Sequence, residues 1–401
     1  MKAGWRTEPL ATVCQIKPPK AEARSLISAN DLVSFVPMES LGIDQKILVP
    51  TQTRPLSEVA GSYTYFADGD VLLAKITPCF ENGKLGIAAN LVNGIGFGSS
   101  EYIVFRPDAS VDKEWLYYFL ARESFRAEGA ERMTGAVGHK RVAKDFIEAY
   151  PIPVPPLPEQ QRIVTLLDEA FDGIATARAH AEKNLQNARA IFESYLQSVF
   201  TQWGNGWEEK TLEQISTTFG RGKSKHRPRN DPALYGGRYP FIQTGDVRNA
   251  GHFITAFSQT YSEAGLAQSK LWPKGTICIT IAANIAETGI LGFDACFPDS
   301  VIGVVPNPNE AEVGFVEYLL QSFKVRIQAL GQGSAQANIN MGTFENERFP
   351  FPGVAEQRRI VAKLDDLSEE TQRLESLYQR KLTALDELKK SLLAQAFSGA
   401  L

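Results

Sequence analysis

A chain of 401 residues with 43% hydrophobic and 22% charged residues has room for two or three domains, each with its own core. Its net charge of −4 excludes a uniformly basic polyanion binder, but not a local basic patch that binds nucleic acid. No apolar run reaches the roughly 18 residues of a membrane span, MKAGWRTEPL lacks an apolar signal core, and Cys14, Cys79, Cys278 and Cys296 form no CxxC pair, so reduced thiols in a cytoplasmic protein are expected.

Residues 1–157 read as a first globular part. After Gly4-Trp5, a strand-like stretch runs through Leu10, Val13 and Ile16, and LISANDLVSFVPMES (26–40) adds a short apolar run. GDVLLAKI (69–76) follows a turn and reads as a strand. GKLGIAANL, GIGFGSS and EYIVFRP continue as glycine-punctuated strands. Residues 112–133 read as one helix, with Trp115, Tyr118, Phe119 and Phe125 on a buried face. YPIPVPPLP (150–158) predicts an extended polyproline-like run, and Pro158 suits the first turn of a helix.

The stretch 158–202 predicts a long helix. Its core, EQQRIVTLLDEAFDGIATARAHAEKNLQNARAIFESYLQSVF, has no proline and a single glycine, Gly173. Leu167, Ala170, Ile174, Ala177, Ala181, Ala188, Ile191 and Tyr195 recur in steps of three and four, the seam of a coiled coil. A continuous helix of this length measures roughly 60 Å.

Residues 203–354 repeat the first part with divergence. Gly206-Trp207, Leu212 and Ile215 answer Gly4-Trp5, Leu10 and Val13. FIQTGDV (241–247) answers FVPMESL (35–41), and KGTICITI (274–281) answers DGDVLLAKI. A helix from Val313 to Leu330 answers 112–133, and RFPFPGVAEQ answers PIPVPPLPEQ. Residues 355–401 close with a second long helix. EQRRIVAKLDDL from Glu356 matches EQQRIVTLLDEA from Glu159 at a shift of 197, and Ser391, Leu393 and Phe397 match Ser194, Leu196 and Phe200 at the same shift. Its seam reads Leu364, Leu367, Leu374, Tyr378, Leu385, Leu388 and Leu392. Small residues on one helix and leucines on the other predict close packing. A whole domain between the helices favours an antiparallel pair. The expected fold class is α+β: two mixed α/β domains joined by two long antiparallel coiled-coil helices, with pseudo-two-fold symmetry.

Enzyme motifs fail in turn. TTFGRGKS (217–224) ends like a phosphate loop but has Thr217 where the first glycine is needed. GIGFGSS is followed by a strand-like stretch rather than the helix of a dinucleotide site. NDPALY (230–235) is not the Asn-Pro-Pro-aromatic motif of amino-methyltransferases, and His139, His180, His226 and His252 are scattered without metal spacing. A noncatalytic chain without metal or catalytic residues is expected. Two basic stretches stand out. RGKSKHRPRN (221–230) carries Arg221, Lys223, Lys225, Arg227 and Arg229 with no acid before Asp231, which suits a phosphate-binding loop or a solvated surface loop. GHKRVAK (138–144) is the candidate in the first part. The corresponding place in the second reads GSAQANIN (333–340), whose amides suit adenine edges or ordinary turns.

Two variable globules, each followed by a proline-rich approach, an EQxRIV start and a long helix, resemble the specificity subunit of type I restriction–modification systems. PIPVPPLPEQQRIV (151–164), FPFPGVAEQRRIV (349–361) and SLLAQAFSGAL (391–401) carry the resemblance, which spans essentially the whole chain. It implies two target-recognition domains, each reading half of a bipartite double-stranded DNA sequence. The helices would set the spacer and dock two methyltransferase subunits, and restriction (motor) subunits would join them. S-adenosylmethionine, ATP and magnesium would belong to those partners and none to this chain. The family has no fixed motif of DNA-contacting side chains, so candidates rest on residue type. They are Lys17, Lys20, Arg24, His139, Lys140 and Arg141 for one half-site. For the other they are Arg221, Lys223, Lys225, Arg227 and Arg229, with Gln336 and Asn338. The rival readings are a non-DNA coiled-coil adaptor tethering two ligand-binding modules, and a standalone nuclease.

Overall fold

The computed structural model describes residues 4–401 apart from 137, 226, 227, 229, 283, 332–338 and 340. It divides into two compact units, Met1–Glu182 with Arg380–Leu401, and Lys183–Gln379. Two helices of 45 residues, Leu157–Thr201 and Val354–Ser398, each contribute a segment to both units. Among the described residues, no helix is long and apolar enough to cross a membrane.

The first unit holds a five-stranded sheet in the order Cys14–Ile16, Tyr102–Pro107, Val71–Ala74, Leu85–Ala88, Ile47–Leu48. A four-stranded sheet, Gln52–Pro55, Leu32–Val36, Ile95–Gly98 and Thr64–Ala67, stands beside it. The second unit repeats the five-stranded order as Ser216–Arg221, Val301–Pro306, Ile277–Thr280, Thr288–Leu291, Phe253–Ile254. In both, the last strand joins in parallel and the other pairs are antiparallel. Instead of a four-stranded sheet, the second unit pairs Tyr235–Phe241 with Gln259–Tyr261.

Three local expectations change. Leu10–Val13 is one helical turn between strands Arg6–Pro9 and Cys14–Ile16, and it buries Leu10 and Val13. The helix read over 112–133 is two, Lys113–Leu120 and Glu123–Glu131, and its counterpart is also two, Val313–Ser322 and Lys324–Gly331. The proline run is a strand: Pro151–Val154 pairs antiparallel with Arg6–Pro9. Its prolines alternate with Ile152 and Val154, and Pro151 and Pro153 lie opposite Pro9 and Thr7. In an antiparallel ladder every second N–H points away from the partner, so a missing N–H there costs nothing. Phe349–Phe351 repeats the device, with Pro350 between two phenylalanines opposite Glu208–Lys210.

Each long helix carries a buried glutamine in its first turn. Gln160 Oε1 accepts from Asp112 N at 2.8 Å, and its Nε2 donates to the carbonyls of Ser110 and Pro155, both at 2.8 Å. Gln357 repeats all three bonds, accepting from Glu312 N at 2.8 Å and donating to the Glu310 and Pro352 carbonyls at 3.0 and 2.8 Å. Further along each helix, Tyr118 donates to Asp168, and Tyr318 donates to Asp365 at 2.7 Å.

In the first unit the helix segments run antiparallel. Arg162 donates to the Leu401 carbonyl near one end, and Arg178 pairs with Asp386 towards the other. Phe397 lies 4.3 Å from the Trp115 ring, in a core with Ile163, Leu167 and Leu393. In the second unit Arg189 pairs with Glu375 at 2.9 Å, and Phe200 lies 5.2 Å from Phe315 in a core with Leu196 and Leu364. Of the predicted seam, Leu167, Ala181, Ala188 and Leu364 are buried, and Ala170, Ala177, Leu367, Leu374 and Leu385 are half-buried. Leu388, Ile191 and Tyr195 are exposed instead. Thr371 and Leu382 fill gaps in the predicted line, and towards the helix ends Leu196 and Phe200, and Leu393 and Phe397, carry the burial instead. A straight helix drifts from a strict 3.5-residue repeat, so the apolar line moves by one position along its length.

Candidate nucleic-acid interface

In the first unit the chain leaves the edge strand Cys14–Ile16 at Lys17, whose backbone turns into the left-handed region with φ 60°. It then reaches Lys20 and the short helix Ala21–Leu26. Arg106 fastens this helix to the sheet. Its Nη1 donates to Glu22 at 2.6 Å, while Nε and Nη2 grip buried Asp70 at 2.7 and 2.8 Å. Lys20 Nζ donates to the Gly61 carbonyl at 2.7 Å, and Arg24 Nη2 to the Ala60 carbonyl at 3.3 Å. Main-chain oxygens thus position both cations without cancelling their charge. Burial lowers the Lys20 pKa, and the neighbouring charges of Lys17 and Arg24 lower it further.

The second basic stretch folds back to the same place. Thr77 N donates to the Lys140 carbonyl at 3.0 Å, and Val142 N to the Lys75 carbonyl at 2.9 Å. Lys75 thereby neighbours Lys17 and Arg141. Burial lowers its pKa, Glu101 opposes the shift, and Lys17 and Arg141 reinforce it. Arg141 is itself paired two-pronged with Glu101, Nε at 2.9 Å and Nη2 at 2.7 Å, and those bonds hold the Glu101 carboxyl low. His139 and Lys140 are exposed, and Lys140 has no ion-pair partner among the described residues. Sequence reasoning missed Lys75, because it closes an apolar strand signal and nothing in that signal says the 134–142 segment will return beside it.

In the second unit the basic stretch leaves the equivalent edge strand, Ser216–Arg221. Arg221 Nε donates to the Asp299 carbonyl at 2.7 Å. Gly222 crosses the 297–298 backbone so closely that a Cβ would lie 2.2 Å from the Phe297 carbonyl oxygen. The Lys223 carbonyl accepts from Ser269 Oγ at 2.8 Å, and Lys225 N donates to Gln268 Oε1 at 2.6 Å. The loop is therefore fastened by its main chain, while the Lys223 and Lys225 side chains are exposed and unpaired among the described residues. Lys270, also missed, lies 3.6 Å above the Trp272 ring; burial and then Lys223 lower its pKa. Arg227, Arg229, Gln336 and Asn338 lie outside the described residues.

TTFGRGKS therefore runs largely along a strand, and GIGFGSS forms the strand Ile95–Gly98; neither cradles phosphate between a strand and a helix. Among the described residues, no group of three or more His, Cys, Asp or Glu side chains is placed to hold a metal ion.

Comparison with known proteins gives one consistent result. The chain is 31% identical over 219 residues to the Type I restriction enzyme EcoAI specificity subunit of Escherichia coli, covering 54% of this chain and 35% of that protein. It is 39% identical over 162 residues to the EcoEI specificity subunit of E. coli, covering 40% of this chain and 27% of that protein. The match thus spans about a third of the length of these two curated relatives. A putative MjaX specificity subunit of Methanocaldococcus jannaschii is 23% identical over 317 residues, covering 75% of this chain and 72% of its own. In fold, the chain matches a subunit of a type I restriction–modification assembly with a TM-score of 0.80 at 20% identity, over 100% of this chain and 99% of that one. It matches the HsdS subunit of Thermoanaerobacter tengcongensis with a TM-score of 0.68 at 19% identity, over 100% and 98%. The family model described as the type I restriction modification DNA specificity domain matches residues 4–185 and again 204–383, and the chain belongs to that family.

Proposed function

We propose that this chain is a noncatalytic DNA-reading subunit of a type I restriction–modification complex. Each unit reads one half of a bipartite double-stranded target. The long helices set the spacing and dock two methyltransferase subunits, with restriction subunits joining that assembly. S-adenosylmethionine, ATP and magnesium belong to those partners, and the assembly works in the cytoplasm of the host cell.

The observation that carries this reading is the duplicated basic arm. In both units a run of cations leaves the same edge strand of the same five-stranded sheet. A slightly acidic chain that concentrates unpaired cations at two equivalent places fits phosphate binding, which positions a reader on its duplex. The triple change Arg221→Gln, Lys223→Gln, Lys225→Gln should weaken DNA binding by the assembled complex. It should also reduce the salt slope by about 0.9 for each phosphate that is no longer neutralised. Gel shifts across a salt series measure both. An unchanged slope removes this arm from the interface, and no shift with any DNA favours the tethering adaptor.

A further inference from the structure

The first unit holds a cavity of about 320 Å³ beneath its basic arm, with Lys17, Lys20, Lys75 and Lys144 around it. Tyr63, Ile103 and Ile147 give it an apolar wall. The carboxylate lining it is that of Glu148, which pairs with Lys144 at 3.1 Å. Lys20 and Lys75 are fixed by the Gly61 and Ser100 carbonyls at 2.7 and 2.9 Å, so their positions are set without neutralising their charge. Lys75 also lies 4.0 Å from Glu101, but Arg141 occupies that carboxylate at 2.7 Å. Lys17 has no ion-pair partner among the described residues, and its backbone is held in the sparsely populated left-handed region. Crowded, partly desolvated ammonium groups facing one space cost free energy that an entering anion relieves. The apolar wall suits an anion that carries a flat or apolar part. Burial and like charge lower the pKa of both Lys20 and Lys75, in keeping with that crowding.

We propose that this cavity seats one nucleotide unit, its phosphate among Lys17, Lys20 and Lys75 and its sugar or base against Tyr63, Ile103 and Ile147. This deepens the DNA-reading function proposed above and rests on it for the source of that nucleotide, a strand of bound DNA. A free mononucleotide has the same chemistry, and the experiment separates the two.

The double variant Lys17→Gln, Lys75→Gln of the full chain, assembled with its partner subunits, is compared with the unchanged complex. The first arm is a salt series of DNA binding. The second is calorimetric titration with deoxyadenosine monophosphate and with inorganic phosphate. The expected result is DNA affinity reduced about tenfold and a salt slope shallower by about 0.9, the value of one phosphate. The Lys17→Arg, Lys75→Arg variant should restore the affinity, which a merely misfolded protein would not. If mononucleotide binding disappears while DNA binding is unchanged, the site stands and its ligand is the free nucleotide. If the variant changes neither arm, the cavity is not a nucleotide site, even though the complex still reads DNA. If the unchanged complex binds no DNA, the proposed function fails, and the mononucleotide arm alone decides the cavity.

Discussion

Gln160 and Gln357 are both 0% exposed, and each satisfies three main-chain groups from a neighbouring loop and the proline approach. Truncating such a side chain leaves those groups buried and unpaired. Gln160→Ala and Gln357→Ala should each destabilise the chain by about 2–4 kcal/mol, read as a lower urea midpoint. Equal midpoints for variant and unchanged chain would show that water replaces the missing bonds. The glutamine was visible in the sequence as part of a repeated EQ, but its purpose was not. Its partners at 110, 112 and 155 are main-chain atoms, which carry no residue signature. The same holds for Lys20 and Lys75, whose anchors are the Gly61 and Ser100 carbonyls. Charge was legible; the hydrogen bonds that aim it were not.

At the scale of the element, the two long helices were legible because about twelve turns of each repeat one period. Their packing line was legible only in part. Alanines at 181 and 188 are 1% and 2% exposed, whereas Leu388 is 47% exposed. Small side chains at buried positions admit a close neighbour, so enlarging them forces the helices apart. Ala188→Leu should cost about 1–3 kcal/mol, and Leu388→Ala should stay within about 0.5 kcal/mol of the parent. Thermal melts of the two variants check this; the reverse order would place Leu388 in the seam. The strand at 151–154 escaped prediction for a physical reason. Alternating prolines satisfy both an extended helix and one side of a ladder, and only the partner Arg6–Pro9 decides between them.

At the scale of the whole molecule, the shift between matching residues is constant at 197 along the helices and varies through the globules. The repeated order of the five-stranded sheets survives that drift, while the four-stranded sheet of one unit has no equal among the described residues of the other. Core positions keep their pattern because burial demands it; the outer strands are free to differ. If helix length sets the spacer, one heptad inserted after Ala181 and another after Leu382 keeps the antiparallel register and adds about 10 Å. The methylated motif should keep both half-sites and gain about three base pairs between them. Methylome sequencing reads this directly, and an unchanged spacer would refute the ruler. Inserting in one helix alone should abolish methylation by shifting one seam against the other.

The glutamine joint has a consequence for descent. Because Gln160 and Gln357 bond only to main-chain atoms, the sockets they form place no demand on the side chains of their partner residues. Residues 110, 112 and 155, and 310, 312 and 352, can therefore change identity without losing these bonds, provided that Trp115, Tyr118, Phe315 and Tyr318 keep their contacts with the helices. On the proposed DNA-reading function, a lineage can thus vary the outer strands of a globule, and with them the target it reads, while its scaffold stays intact.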